Sequence, residues 1–426
     1  MSTEDREQLR RFRSLVASEA HRTTADGRPP FTLPLAECSR DESARRLDAI
    51  SMATWLDRHG LHSEPLRWFV EYATRDDYGA SLNATSAWAA LHYFASRDSE
   101  ERFEFPEGNG QIVYRLLQEL SAEEQRPQFP TSSSGAGSSS SGAGEVEGWL
   151  RTGALVYSIE PTAGGAVAGV LVRYAQQPKP RPAPDTARPT ERATGDLRSE
   201  ALVRTLHARR VIYAAPLFTA AHIIRGWHAT WLREFTYAPW VVANIHLRAP
   251  PADGPARCDN VIYRAPGLGY TLSIHPPSSW LTAAARVRSR LGGGGTRSTT
   301  SSRGSGGGGG AVLTYYKALA SEPPETARVR MAARSWEQWR DEVLDELEIA
   351  HPGLRALATQ LDVRLLGHAM TRPTPGLVHG VARAAASGER PHGVVHFAHS
   401  DLSALPLFEE AVYWGQRVAV EVALAL

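Results

Sequence analysis

The residues best placed to do chemistry lie near the end of the chain, in the stretch 394 to 419, VVHFAHSDLSALPLFEEAVYWGQRVA. A short apolar run, Val394-Val395-His396-Phe397-Ala398, has the composition of a buried strand, and Asp401 stands in the polar loop beyond it. The residues after the loop read as a helix, with Ala411, Val412, Val418 and Ala419 recurring at helical spacing. In open α/β sheets, ligands sit beyond the carboxyl ends of strands, where loop passes into helix. A helix start offers unpaired N–H groups and a positive dipole end, and a carboxylate beside it can accept hydrogen bonds from ligand hydroxyls. The competing role for Asp401 is to cap the helix that follows, and local pattern alone favours that role. His392, His396 and His399 suggest a small metal site, but 15 histidines in the chain make chance proximity the better reading. Lys317, in Thr314-Tyr315-Tyr316-Lys317, is a candidate site lysine, with a surface lysine as the plainer alternative.

Other chemistries fail on spacing. The sequence has no G-x-S-x-G nucleophile elbow, no H-E-x-x-H zinc motif and no P-loop. Cys38 and Cys258 are isolated, which excludes a disulfide framework and a cysteine zinc site and implies a reducing cytoplasm. The formal net charge of +1 argues against a nucleic-acid footprint or a polybasic membrane surface. No apolar run is long enough to span a membrane, and the first residues lack a signal-peptide core. Lys179 and Lys317 are the only lysines, and with abundant Ala, Gly and Pro this reads as GC-rich coding.

The elements that must position such a site follow from periodicity. Residues 4 to 21 form an amphipathic helix with Leu9, Phe12, Leu15 and Val16 on one face. Residues 50 to 60 form a second, capped by Ser51 and ended by Gly60. Residues 66 to 97 are helical and aromatic-rich, broken at Arg75-Asp76-Asp77-Tyr78-Gly79, and their aromatics belong to a core. Phe105-Pro106-Glu107-Gly108-Asn109-Gly110 leads into a helix at Ile112, and a glycine pair there can cradle phosphate. Strands are expected at 153–160, 167–174 and 208–216, then at 239–247, 260–263, 269–274 and 311–316. Residues 336 to 350 form an amphipathic helix with Trp339, Val343, Leu344 and Leu347 inward. Flexible inserts are expected at 131–144, 176–196 and 291–310.

Taken together, these motifs resemble the flavin-containing amine oxidases and their phytoene-desaturase-like relatives. Phe397-Ala398, the acid Asp401, and Ala411-Val412 with Gly415 and Ala419 follow the family's C-terminal pattern. His399 and Glu410 depart from it, standing where the family has glycine and brings backbone close to the ligand. The Gly108-Asn109-Gly110 turn is similar to the family's Pro-x-Gly-Gly turn, and the strand from Val156 to Ile159 and the return strand ending in Ala214-Ala215-Pro216 fit its flavin domain.

The resemblance implies an α/β fold with an α+β part, a partial FAD-binding Rossmann-like sheet interleaved with a substrate domain of helices and an antiparallel sheet. The expected organisation is a helical part of the substrate domain at 1–105 and an FAD-binding-type segment at 106–216. The substrate domain continues at 217–365, and a C-terminal FAD-binding-type segment fills 366–426. The implied cofactor is FAD, accepting hydride from a small organic substrate. Asp401 is then placed near the ribityl chain or pyrophosphate, the Leu407 and Phe408 backbone near the ring, Val156 near the adenine, and Pro216 beside the cofactor. The family opens with a strand, G-x-G-x-x-G and a helix, and the 426 residues contain no such unit. The expectation is therefore a chain incomplete at its start, a chain completed by a partner that supplies the Rossmann unit, or a non-catalytic remnant or interaction protein that keeps only the fold's outline.

Overall fold

The computed structural model describes residues 1–96, 109–124, 150–162, 169–176, 202–252, 260–274 and 311–426. The expected inserts at 131–144 and 291–310, all of the insert 176–196 but Gln176, which ends a strand, the run Phe105-Pro106-Glu107-Gly108, and Cys258 lie outside the described residues.

The chain begins with helix α1 (Thr3–Ala20), started by a capping box in which Ser2 and Asp5 satisfy each other's backbone N–H. Phe12 and Val16 are buried, and Leu9 and Leu15 pack against the same core. Helices α2 (Glu42–Asp48), α3 (Met52–Arg58), α4 (Glu64–Tyr78) and α5 (Ala87–Ala95) complete this layer. Ser51 caps α3 by accepting the Thr54 N–H at 3.2 Å. The polar run Arg75-Asp76-Asp77-Tyr78 is the last turn of α4, which Gly79 ends in the left-handed region at φ 58°. A Cβ on Gly79 would lie 2.3 Å from the Ala238 Cβ, so glycine lets the end of α4 press on the strand beyond it. Helix α6 (Gly110–Glu124) begins at the glycine itself, two residues before the expected start.

Three sheets follow. Strands β1 (Ala154–Pro161), β2 (Val170–Gln176) and β3 (Leu202–Ala208) form an antiparallel meander. Strands β4 (Val211–Tyr213) and β9 (Val395–Phe397) pair in parallel, with Val211 opposite Val395. The third sheet is antiparallel, in the order β6 (Gly269–Ile274), β7 (Ala311–Ala318), β5 (Tyr237–Leu247), β8 (Ala358–Thr371). Helices α8 (Pro324–Ala333), α9 (Trp336–Ala350) and α10 (Leu354–Leu357) pack on this sheet, and α7 (Leu217–Ile223) follows β4. The chain closes with α11 (Val381–Gly388) and α12 (Phe408–Leu424). Val156 packs against the same core cluster that buries Val395, so 153–160, 211–213 and 394–398 share one core.

Three expectations about elements are corrected. The single return strand expected at 208–216 is two strands in different sheets, broken at Arg209-Arg210. Two adjacent guanidinium groups resist burial in a sheet; they turn to the surface, where Arg209 donates to the Leu426 carbonyl and Arg210 to the Gly393 carbonyl. Residues 260–263 are not a strand, since only Asn260 bridges, to Tyr270. The inward face of α12 is Glu410, Trp414, Val418 and Val422, every fourth residue, while Ala411, Val412 and Ala419 face outward. The buried face includes the acid Glu410, which apolar spacing alone does not mark.

Candidate functional site

The in-register pairing of β4 with β9 sets their carboxyl ends side by side. Beyond β4 the chain passes through Pro216 into α7; beyond β9 it makes a 3-10 turn, Ser400–Ser403, and then enters α12. Asp401 lies in that turn and is 1% exposed. Its Oδ2 accepts the Leu217 N–H at 3.0 Å and the Tyr237 hydroxyl at 2.8 Å. The Asp401 N–H donates to His399 Nδ1 at 3.1 Å. Asp401 does cap a helix, but it is α7, 184 residues earlier in sequence, rather than the helix that follows it. The carboxylate thereby ties together the two strand ends and the start of β5.

An aromatic wall stands against this junction. Phe218 stacks on His368 at 4.4 Å and meets Tyr237 edge-on at 4.9 Å. Burial, reinforced by the neighbouring Asp401 charge, pushes the Tyr237 hydroxyl well up, so it stays protonated and donates. Desolvation, and then Arg328, pulls the His368 imidazole below its ordinary value. Arg328 donates to the carbonyls of Tyr237 and Gly367. Arg372, buried just beyond β8, gives its backbone N–H to the Thr236 carbonyl at 2.9 Å. Its Nε has no hydrogen-bond partner, and burial lowers its guanidinium.

A second buried acid anchors α12. Glu410 is fully buried and accepts the Leu35 N–H at 2.6 Å and the Ser403 hydroxyl at 2.5 Å. Ser403 Oγ in turn accepts the Trp414 indole N–H at 2.8 Å. Burial pushes the Glu410 carboxyl up. The sequence marks Glu410 only as a departure from glycine; its side chain fills that space and links the C-terminal helix to the loop at residue 35.

The other expected site residues are dispersed around this junction. Pro216 is the residue before α7. Leu407 precedes α12, whose amino end has no side-chain cap, and Phe408 opens the helix 56% exposed. Val156 lies in β1, half-buried against the main core. Lys317 belongs to the antiparallel sheet, where its ammonium sits 2.6 Å from Glu342 in the wall of a cleft of about 430 Å³. The three histidines take separate partners: His392 contacts the Arg225 carbonyl, His396 contacts Glu421, and His399 accepts from Asp401. Among the described residues no group of three His, Cys, Asp or Glu can hold a metal ion. Sequence reading missed Tyr237, Phe218, His368 and Arg372. The one available signal was Tyr237 just before the alternating strand, where an aromatic hydroxyl enters a buried element and needs a partner.

Chemically, the junction holds an acceptor carboxylate, a protonated tyrosine, a stacked imidazole and a buried guanidinium. The Tyr237 hydroxyl donates to the Asp401 carboxylate and burial keeps it protonated, so it serves as a hydrogen-bond donor and not as a nucleophile. The arrangement positions and polarises, which suits chemistry carried by a bound organic group.

Solved structures share this fold along the whole chain. A triple mutant of putrescine oxidase, from a redesign of its cofactor binding, matches 100% of this chain and 77% of its own at 15% identity, with a TM-score of 0.60. Cyclohexylamine oxidase from Brevibacterium oxydans IH-35A matches 99% of this chain and 75% of its own at 16% identity, with a TM-score of 0.54. A protoporphyrinogen-oxidase-like protein from Exiguobacterium sp. 255-15 matches 100% of this chain and 73% of its own at 11% identity, with a TM-score of 0.52. The mixed helix and sheet architecture expected from sequence is thus the one found. No family model and no curated protein sequence matches the chain.

Proposed function

We propose that the chain is the larger part of a flavin-dependent oxidoreductase of the amine-oxidase type, acting on a small organic molecule. The observation that carries this reading is the full-length likeness of fold to putrescine and cyclohexylamine oxidases. FAD, when bound, supplies a two-electron acceptor that takes hydride from a C–N or C–C bond.

The residues fit such a group at one end. The amino end of α12, reached directly from β9, has no side-chain cap and so keeps N–H groups for an electron-rich ring edge, with the Leu407 and Phe408 backbone beside it. Tyr237, Phe218 and His368 are the side chains that would exclude water near it, and Arg372 is the buried cation whose unpartnered Nε awaits an acceptor. Asp401 has a positioning role, because its Oδ2 already serves Leu217 and Tyr237. A dinucleotide-binding unit, from a further segment or a partner chain, would hold the diphosphate and extend the β4–β9 pair. A parallel pair of three-residue strands is marginal by itself, and Ile212 of β4 is exposed. The second reading, an interaction protein that keeps the outline of the fold, is favoured by Glu410, which fills space the family leaves to glycine.

The visible absorption spectrum separates the two. Residues 1–426 with added FAD are expected to bind weakly or not at all, and to become a yellow, stoichiometric flavoprotein when a dinucleotide-binding unit is supplied. A colourless protein in both cases overturns the flavin reading in favour of the second.

A further inference from the structure

Arg40, Arg383 and Arg417 come from three separate elements and line one cavity of about 160 Å³. Arg40 precedes α2, Arg383 lies on α11 and Arg417 on α12. Among the described residues no carboxylate lines that cavity, and none of the three guanidinium groups lies within 4.0 Å of one. Elsewhere among the described residues arginines meet acids, as Arg355 does with Asp341 and Asp345. Three like charges facing one space repel each other, and such an arrangement persists where an anion offsets it.

The groups are also held in place by neutral contacts. Arg383 donates to the Val378 and Leu402 carbonyls, and Arg417 donates to the Tyr413 hydroxyl at 3.1 Å and lies over the Trp414 ring at 5.1 Å. Among the described residues Arg40 donates its backbone N–H to Asp26 at 3.0 Å, and no side-chain hydrogen bond joins it. The buried acids that act on Arg383 are Asp48 and Glu410; burial raises both carboxyls and lowers the Arg383 guanidinium. The space is roughly ten times the ~10–15 Å³ that one water needs by the same measure, room enough for a small oxyanion.

We infer that this cavity binds a phosphoryl-type oxyanion, gripped by the forked donors of Arg40, Arg383 and Arg417. Planar guanidinium forks match the oxygen spacing of phosphate and distribute its charge over several N–H groups. The phosphoryl group can be free phosphate or the exposed end of a larger phosphate ester; both present the same chemistry to the pocket. The site is independent of the flavin reading.

The test is calorimetric titration of the whole chain with inorganic phosphate, with ADP and with acetate, each at constant ionic strength set with chloride. Saturable phosphate or ADP binding is expected, and acetate should bind at least tenfold more weakly. Binding of phosphate alone assigns the pocket to the free ion, and binding of ADP alone assigns it to a phosphate ester. Arg40→Ala and Arg417→Ala, on exposed side chains, should each weaken that binding at least tenfold while leaving the circular-dichroism spectrum and the melting temperature without phosphate unchanged. Arg417→Lys should recover only part of the affinity, because a point charge lacks the fork. Absence of saturable binding, acetate binding as tight as phosphate, or unchanged affinity in both alanine variants overturns the inference.

Discussion

The antiparallel sheet and the parallel pair close their apolar surfaces in opposite ways. In β5, Val241, Ala243, Ile245 and Leu247 alternate inward, and α9 covers them and their neighbours with Val343, Leu344 and Leu347. That region buries one face under its own helices, although Leu365 and Leu366 of β8 are 40% and 43% exposed. The β4–β9 pair has three residues a strand, and the meander beside it leaves Leu155, Leu202 and Val203 more than 60% exposed. Val412, Val420 and Leu424 on α12 are exposed as well. The difference teaches that the first region has a finished wall under its own helices, whereas the second leaves large apolar side chains in solvent.

The largest expected effect lies in the finished wall. Leu347→Ala removes a fully buried side chain between α9 and the sheet and should cost about 2–5 kcal/mol in urea denaturation. The matched change in the open region, Leu202→Ala, should leave stability within about 0.5 kcal/mol and reduce self-association in gel filtration. Equal losses at the two positions would erase the contrast.

Next comes the junction itself. Tyr237→Phe takes one of two hydrogen bonds from the Asp401 Oδ2 while leaving the aromatic contact with Phe218 in place. A buried hydrogen bond to a charged acceptor is worth about 1.5–3 kcal/mol, and the variant should lose that much in chemical denaturation. A loss below about 0.5 kcal/mol would mean that Asp401 does not bind β5 to the strand ends.

These two regions were also unequally legible in the sequence. The finished wall declared itself, because period-two alternation in β5 and the spacing of Trp339, Val343, Leu344 and Leu347 report burial directly. The open region did not. Residues 208–216 read as one strand because nothing local marks Arg209-Arg210 as a passage between sheets. Asp401 was visible as an acid at a strand end, but its partners Leu217 and Tyr237 lie 184 and 164 residues away. Glu410 was visible only as a departure, and its partner Leu35 is 375 residues distant. Periodicity carries information about burial, and none about which distant backbone N–H a buried acid will find.

A pH experiment addresses the open half. Burial, and then the nearby Arg383, pulls the His379 imidazole down to about 3. In the unfolded chain a histidine titrates near 6.5. Between those values the unfolded chain binds a proton that the folded one does not, so stability falls as pH drops from 6.5 toward 3, by up to about 1.4 kcal/mol per unit. His379→Gln should flatten that slope in denaturation curves taken at a series of pH values, and an unaltered slope would assign the acid sensitivity elsewhere.

The smallest effect is expected at Lys317, and it decides whether the finished wall also holds a catalytic group. Sequence alone left this lysine as a candidate site residue. In the fold its ammonium meets Glu342 at 2.6 Å, and Glu342 also pairs with Arg334. Lys317→Met keeps the stem that packs along β7 and leaves Glu342 with one cation. The ion pair is largely shielded from solvent at Lys317 and less so at Glu342, so its loss should cost about 1 kcal/mol or less once solvent screening and the remaining Arg334 partner are counted. If Lys317 serves only this pair, flavin content and turnover of the completed protein should match the parent within a factor of two. A lysine that touched the reacting atoms would show a loss of turnover of a hundredfold or more, in line with removing a proton-transfer group. That outcome would move the active site from the strand ends to the face of the antiparallel sheet.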